Sequence, residues 1–151
     1  MEIQVGDPAP DFTLKDNRGN EASLKDYRGK RVLLSWHPLA WTGVCAAQMK
    51  SLEENKDIFA ELNTVALGLS VDSVPCKNAW AKELKVADTR LLSDFWPHGR
   101  VAQTYGLFRE EQGTAKRANV ILDENGTVIF VKVYDIPQLP DITEIVQFLR
   151  A

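Results

Sequence analysis

The stretch Arg31-Val32-Leu33-Leu34-Ser35-Trp36-His37-Pro38-Leu39-Ala40-Trp41-Thr42-Gly43-Val44-Cys45 passes from a bounded apolar run, through a proline-containing loop, to a cysteine that opens an amphipathic segment. Arg31 to Trp36 reads as a strand covered on both faces, because it is short, apolar and ended by turn-forming residues. From Cys45 onward Met49, Leu52, Phe59 and Leu62 recur at helical spacing, with Lys50, Glu53, Glu54 and Lys56 between them. Cys45 therefore falls in the first turn of a helix that follows a buried strand. Unsatisfied backbone N–H groups and the positive end of the peptide dipoles favour an anion there. For a cysteine the anion is the reactive form. The hydroxyl of Thr42 can donate to that sulfur or to whatever it attacks.

Working outward, Asp7-Pro8-Ala9-Pro10 is rigid and turn-like, and Asp11–Leu14 and Glu21–Leu24 read as a strand pair around the turn Asn17-Arg18-Gly19-Asn20. Thr64–Val71 reads as a second buried strand, Asp72–Pro75 as a turn and Cys76–Leu84 as a helix. Leu91-Leu92 suggests a short strand, and Pro97–Tyr105 a helix opened by its proline. Asn119–Leu122 and Thr127–Val133 are strands joined by Asp123-Glu124-Asn125-Gly126, a hairpin signal. The last helix starts at Asp141, with Glu144 completing a capping box and Ile142, Ile145, Val146 and Leu149 on its buried face. Strands alternating with helices imply a single α/β domain over residues 1–151, with a partly parallel sheet, helices on both faces and a closing antiparallel hairpin.

Composition narrows the function. At 151 residues and 44% hydrophobic content the chain can build one globular core. A net charge of -3 gives no basic surface to recruit nucleic acid or anionic lipid, and no apolar run approaches membrane-spanning length. The start, Met1 to Asp7, lacks a basic region followed by an apolar stretch and reads as no secretory leader. Two cysteines make no disulfide scaffold, so the expected compartment is a reducing cytoplasm, where a disulfide would be catalytic.

Pro38, Thr42 and Cys45 together match the P-x-x-x-T-x-x-C signature, and the chain resembles the peroxiredoxins along nearly its whole length. Gly6–Phe12 looks like the family's opening segment, and Leu92-Ser93-Asp94 and Tyr105-Gly106 like its central markers. Leu91–Gly99 with Tyr105–Phe108 is most similar to the alkyl hydroperoxide reductase E subgroup. The resemblance implies a thioredoxin-like fold: a mixed central sheet flanked by helices, with an N-terminal β-hairpin. It also implies a thiol-dependent peroxidase, active on hydrogen peroxide and organic hydroperoxides without metal or organic cofactor. Thioredoxin, a glutaredoxin-like protein or a low-molecular-weight thiol would be the reductant, and a homodimer the assembly.

The resemblance makes Cys45 the peroxidatic nucleophile, against the alternative of an inert buried thiol. Thr42 would hold the peroxide and can equally be a helix N-cap. Pro38 would shield the sulfur from water, or simply end the strand. Arg117 matches the family's active-site arginine, against a solvated charge beside Lys116. Gln48 would support the arginine or be an ordinary exposed polar side chain. His37 stands where the family usually has an aromatic residue, and could tune acidity near Cys45, pack, or touch a partner subunit. Trp41, Phe95 and Trp96 could line the access route or an interface, and Trp80 would pack in the core. Cys76 stays open between a resolving thiol and a non-catalytic one. If the strands before the two cysteines are parallel neighbours, both thiols lie at one sheet edge. Two other functions stand beside the peroxidase. A peroxide sensor or holdase on the same fold would oxidise once and change its binding. A disulfide reductase is disfavoured by the lack of C-x-x-C.

Overall fold

A computed structural model describes residues 2–151; Met1, the first residue of the leader reading, lies outside them. The strands are β1 (Thr13–Lys15), β2 (Glu21–Ser23), β3 (Arg31–Trp36), β4 (Thr64–Ser70), β5 (Arg90–Ser93), β6 (Phe108–Arg109), β7 (Thr114–Ala115), β8 (Arg117–Leu122) and β9 (Val128–Tyr134). The α-helices are α1 (Gly43–Glu54), α2 (Lys56–Glu61), α3 (Val74–Leu84), α4 (Arg100–Thr104) and α5 (Ile142–Arg150). Seven strands form one sheet in the order β2-β1-β5-β4-β3-β8-β9. β3, β4 and β5 run parallel, and the outer pairings are antiparallel. β6 and β7 pair separately, a small hairpin that the sequence reading does not contain.

The two-residue period of a strand divides β3 between two cores. Val32, Leu34 and Trp36 enter the core that also holds Phe12, Val101 and Tyr105, on the α4 side. Leu33 enters the other, with Met49 and Leu52 of α1, Trp80 of α3 and Ile145 and Leu149 of α5. Helices therefore cover both faces. Burying each such leucine removes it from water for a gain of about 1.5–3 kcal/mol before entropy is counted.

Four local readings are corrected. The helix from Cys45 is two helices, broken at Asn55, whose side-chain amide donates back to the Ser51 carbonyl. α3 begins at Val74 rather than Cys76, because the Ser73 hydroxyl caps it by accepting from Cys76 N and Pro75 fits the first turn. α4 begins at Arg100 rather than Pro97. Gly99 stands before it at φ 66, outside helical geometry, and the Asp94 carboxylate accepts from Val101 N and Ala102 N. At α5, Asp141 does cap, through Thr143 N, but Glu144 leaves the proposed box to pair with Lys132.

The far end of α1 is fixed by Glu53, whose carboxylate accepts from the backbone N–H groups of Ala87, Asp88 and Thr89 and pairs with Lys56. Burial pushes its pKa up, but the hydrogen bonds from Thr89, Ala87 and Lys56 outweigh this and hold it at about 2. That clamp ties the C-terminal end of α1, the helix carrying Cys45, to the loop between α3 and β5.

Candidate active site

β3 and β8 are antiparallel neighbours with Ser35 opposite Asn119, and the side chains of the odd-numbered residues Ser35, Arg117 and Asn119 turn toward α1. Cys45 lies in the first turn of α1, completely buried, with Gln48 one turn later on the same face. Arg117 is the first residue of β8, not a residue before the strand, and it too is buried. Its Nη1 donates to Cys45 Sγ at 3.3 Å and to Gln48 Oε1 at 2.7 Å, and its Nε donates to the Ile136 carbonyl at 2.9 Å. Gln48 Nε2 donates in turn to Ser35 Oγ at 2.8 Å and the Trp36 carbonyl at 3.1 Å. Ser35 donates to Asn119 Oδ1, and Asn119 Nδ2 reaches the Tyr134 hydroxyl. Burial pushes the Tyr134 phenol up to about 12, so it stays protonated and donates to Glu144. Each polar group in this interior chain has a partner, which fixes the guanidinium in one place.

A pocket of about 260 Å³ ends at Cys45, bounded by Pro38, Thr42, Arg117, Ile136 and Pro137. The loop above it bends through Trp41, held at φ 68 in the left-handed region, a costly conformation for a side chain of that size. Thr42 occupies the N-cap position without capping: its hydroxyl donates to the Leu39 carbonyl at 2.8 Å and stays exposed beside the pocket. Pro38 is buried in the pocket wall.

The structure thus brings together Pro38, Thr42, Cys45, Gln48 and Arg117. Gln48 and Arg117 are not the solvated surface groups of the alternative readings. Trp41, Phe95 and Trp96 are exposed at 55%, 51% and 81%, and none lines the Cys45 pocket. Phe95 and Trp96 border a different cavity, of about 470 Å³, with Val74 and Pro75. Trp80 is in the core, and His37 is fully buried against it, with ring centroids 5.4 Å apart.

Cys76 is half-buried on α3 and packs against the cluster that contains Cys45; both are free thiols. β3 and β4 are parallel neighbours, so the two helices that carry the thiols follow adjacent strands. Burial raises the Cys76 thiol, the Asp72 carboxylate raises it further, and the Trp41 indole opposes them. Asp72 also accepts from Ala40 N at 2.9 Å and Ser70 Oγ at 2.6 Å, so one carboxylate joins the Pro38–Thr42 loop to the turn before Cys76.

Comparison with known proteins places the chain. The AhpC/TSA family pattern matches residues 5–131. The chain belongs to the AhpC/TSA family of peroxiredoxins. Alkyl hydroperoxide reductase E of Mycobacterium tuberculosis is 40% identical over 132 residues, covering 87% of this chain and 86% of that protein. Peroxiredoxin-1 of Gallus gallus is 31% identical, over 97% of this chain and 78% of its own. The crystal structure of the reduced 2-Cys peroxiredoxin of Plasmodium vivax superimposes with a TM-score of 0.90 at 30% identity, covering 97% of this chain and 80% of that one. The expected thioredoxin-like architecture of a peroxiredoxin is therefore the one found.

Several members of this peroxiredoxin's site were missed from the sequence: Ser35, Asn119 and Tyr134 in the interior chain, and Asp72 and Lys77 near Cys76. A polar residue inside an apolar strand, as in Leu34-Ser35-Trp36, is the signal for the first two, since buried polar groups require partners. Lys77 precedes Trp80 and Ala81 by three and four positions, which puts it on the buried face of α3.

Proposed function

We propose that this protein is a thiol-dependent peroxidase in which Cys45 reduces hydrogen peroxide and organic hydroperoxides. The observation that carries the reading is the Arg117 Nη1 donor, 3.3 Å from Cys45 Sγ at the end of an open pocket. The sulfur of the thiolate attacks one peroxide oxygen; an S–O bond forms as the O–O bond breaks. The other oxygen takes a proton and leaves as water or an alcohol, and Cys45 is left as a sulfenic acid. Arg117 compensates the anion before attack and the negative charge spreading over the peroxide oxygens during it. Thr42, whose hydroxyl oxygen is free to accept, orients the peroxide. Pro38 keeps water off the sulfur.

Recycling is by a second thiol. Cys76 fits the resolving role because its helix follows the strand next to β3 and its sulfur packs against the same apolar cluster as Cys45. A disulfide needs Cα atoms within about 7 Å, so α1 or α3 would unwind at its start to bring them there. The joint test is intact-mass measurement after an equimolar addition of hydrogen peroxide. Reduced wild type is expected to lose two hydrogens as the disulfide forms, and Cys76→Ser to gain one oxygen on the peptide containing Cys45. Oxygen retained on wild-type Cys45 removes Cys76 from the mechanism and leaves resolution to an external thiol. No mass change in either protein rejects the peroxidase.

For the reductant we propose a dithiol protein of the thioredoxin type, since a disulfide product is a substrate for thiol exchange. A homodimer through Trp41, Phe95 and Trp96 would cover large aromatic surface that a monomer leaves in water. Light scattering is expected to give twice the chain mass for wild type and a shift toward the single-chain mass for Trp96→Asp. An unshifted mass moves the interface elsewhere.

A further inference from the structure

One side of the Cys45 pocket is formed by Pro38, Leu39 and Thr42, residues of a single loop. The loop turns at Trp41, whose φ of 68 is costly for a large side chain and persists only where the surroundings hold it. Side-chain hydrogen bonds hold it from both directions. From within the loop, Thr42 Oγ1 donates to the Leu39 carbonyl at 2.8 Å. From outside, the Asp72 carboxylate accepts from Ala40 N at 2.9 Å through Oδ2. Ala40 is itself buried, in the apolar cluster that contains Cys45 and Met49.

The carboxylate is fixed in its turn. Ser70 Oγ, at the end of β4, donates to the same Oδ2 at 2.6 Å. Ser93 Oγ, at the end of β5, donates to the Asp72 main-chain carbonyl at 2.6 Å. β3 and β4 are parallel neighbours, so the chain leaving β4 meets the loop leaving β3. His37 N carries that pairing one bond further, to the Leu69 carbonyl, and Asp72 supplies the next link with a side chain. Arg117 is held separately, by Gln48 and the Ile136 carbonyl, neither of which belongs to the loop. We propose that Asp72 is a positioning residue for the peroxide: its carboxylate latches Ala40 and so keeps Thr42 and Pro38 set over sulfur 45. The inference rests on the reading of Cys45 as the peroxide-reducing thiol.

The latch predicts a split between two reactions of one sulfur. Attack on peroxide uses the loop, because Thr42 orients the O–O bond. Alkylation by iodoacetamide uses the same sulfur beside the same Arg117 donor but makes no use of a seated peroxide. A small misplacement of a positioning group costs up to about 10²-fold. Asp72→Ala is therefore expected to lower the second-order rate of Cys45 with hydrogen peroxide by roughly tenfold to a hundredfold, with alkylation at or above the wild-type rate. Asp72→Asn keeps an oxygen that can accept from both Ala40 N and Ser70 Oγ, and is expected to restore the peroxide rate to within about threefold of wild type. Both rates are read at Cys45 by peptide-resolved mass spectrometry, with Cys76 followed on its own peptide.

The two rates falling together in Asp72→Ala is what a general loss of packing gives, and it would overturn the proposal. So would an unchanged peroxide rate in Asp72→Ala, or an Asp72→Asn variant as slow as Asp72→Ala. Amide hydrogen exchange around Ala40 reads the latch with no chemistry at sulfur. Faster exchange is expected in Asp72→Ala and wild-type protection in Asp72→Asn; equal exchange in all three proteins would reject the latch. A wild type that protects Ala40 but does not react with peroxide would sink the peroxidase reading and leave the latch standing. Should Asp72→Ala not fold, Asp72→Ser replaces it, because its shorter side chain withdraws the acceptor from Ala40 N while staying polar, and the same outcomes decide.

Discussion

Cys45→Ser is expected to abolish peroxide turnover, leaving at most about a thousandth of the wild-type rate. The substitution is close to isosteric at a completely buried position, so the pocket and the Arg117–Gln48 bond survive it. What disappears is the nucleophile. A serine hydroxyl is not ionised at neutral pH, and among the described residues no histidine or carboxylate is hydrogen-bonded to position 45 to take its proton. Arg117, the hydrogen-bond partner of Sγ, is a donor only and can stabilise an alkoxide but cannot generate one. The check is peroxide consumption with excess dithiothreitol, alongside circular dichroism to show that the variant is folded. Activity within tenfold of wild type in a folded variant would mean that another group carries the oxygen transfer, and the thiol mechanism would be wrong.

What could be read from the sequence divides along a physical line. β3 was readable to the residue because six consecutive residues, apolar apart from Arg31 and Ser35, have one favourable home, the middle of a sheet. The cysteine at a helix start followed from the same local reasoning, since a strand, a proline loop and an amphipathic run leave few alternatives. Gln48 at one turn from Cys45 was likewise placed by helical period alone. By contrast, the interior chain from Gln48 through Ser35 and Asn119 to Tyr134 joins four separate elements, α1, β3, β8 and β9. Its residues become neighbours only through the register of β8 on β3 and on β9, which no local window contains. Lys77 shows a different limit. Lysine is presumed exposed because burying an ammonium is costly, and only the tertiary arrangement of Asp72, His37 and the two thiols offsets that cost. The misplaced starts of α3 and α4 were capping errors: Ser73 and Asp94 decide where the helices begin, and both act through geometry that a turn motif does not reveal.

Arg117→Met should lower the second-order rate of Cys45 oxidation by about 10²–10³-fold, the usual consequence of losing one preorganised donor to a developing anion. The loss has two sources with different signatures. Without the cation the thiolate is less favoured, a loss that raising the pH recovers. Without Nη1 the spreading charge on the peroxide oxygens lacks its donor, a loss that no pH recovers. Stopped-flow tryptophan fluorescence, with Trp41 in the loop above the pocket as reporter, measures both if the rate is followed against pH. Arg117→Lys discriminates further. It keeps a charge but has no planar fork with which to serve Cys45, Gln48 and the Ile136 carbonyl together, so it should recover only part of the rate. Either variant leaves Gln48 Oε1 or the Ile136 carbonyl short of a donor, at about 1–3 kcal/mol per buried group. Lower stability without a change in oxidation rate would therefore assign Arg117 to architecture alone. A rate loss exceeding the stability loss, and persisting at high pH, places the guanidinium on the reacting oxygens.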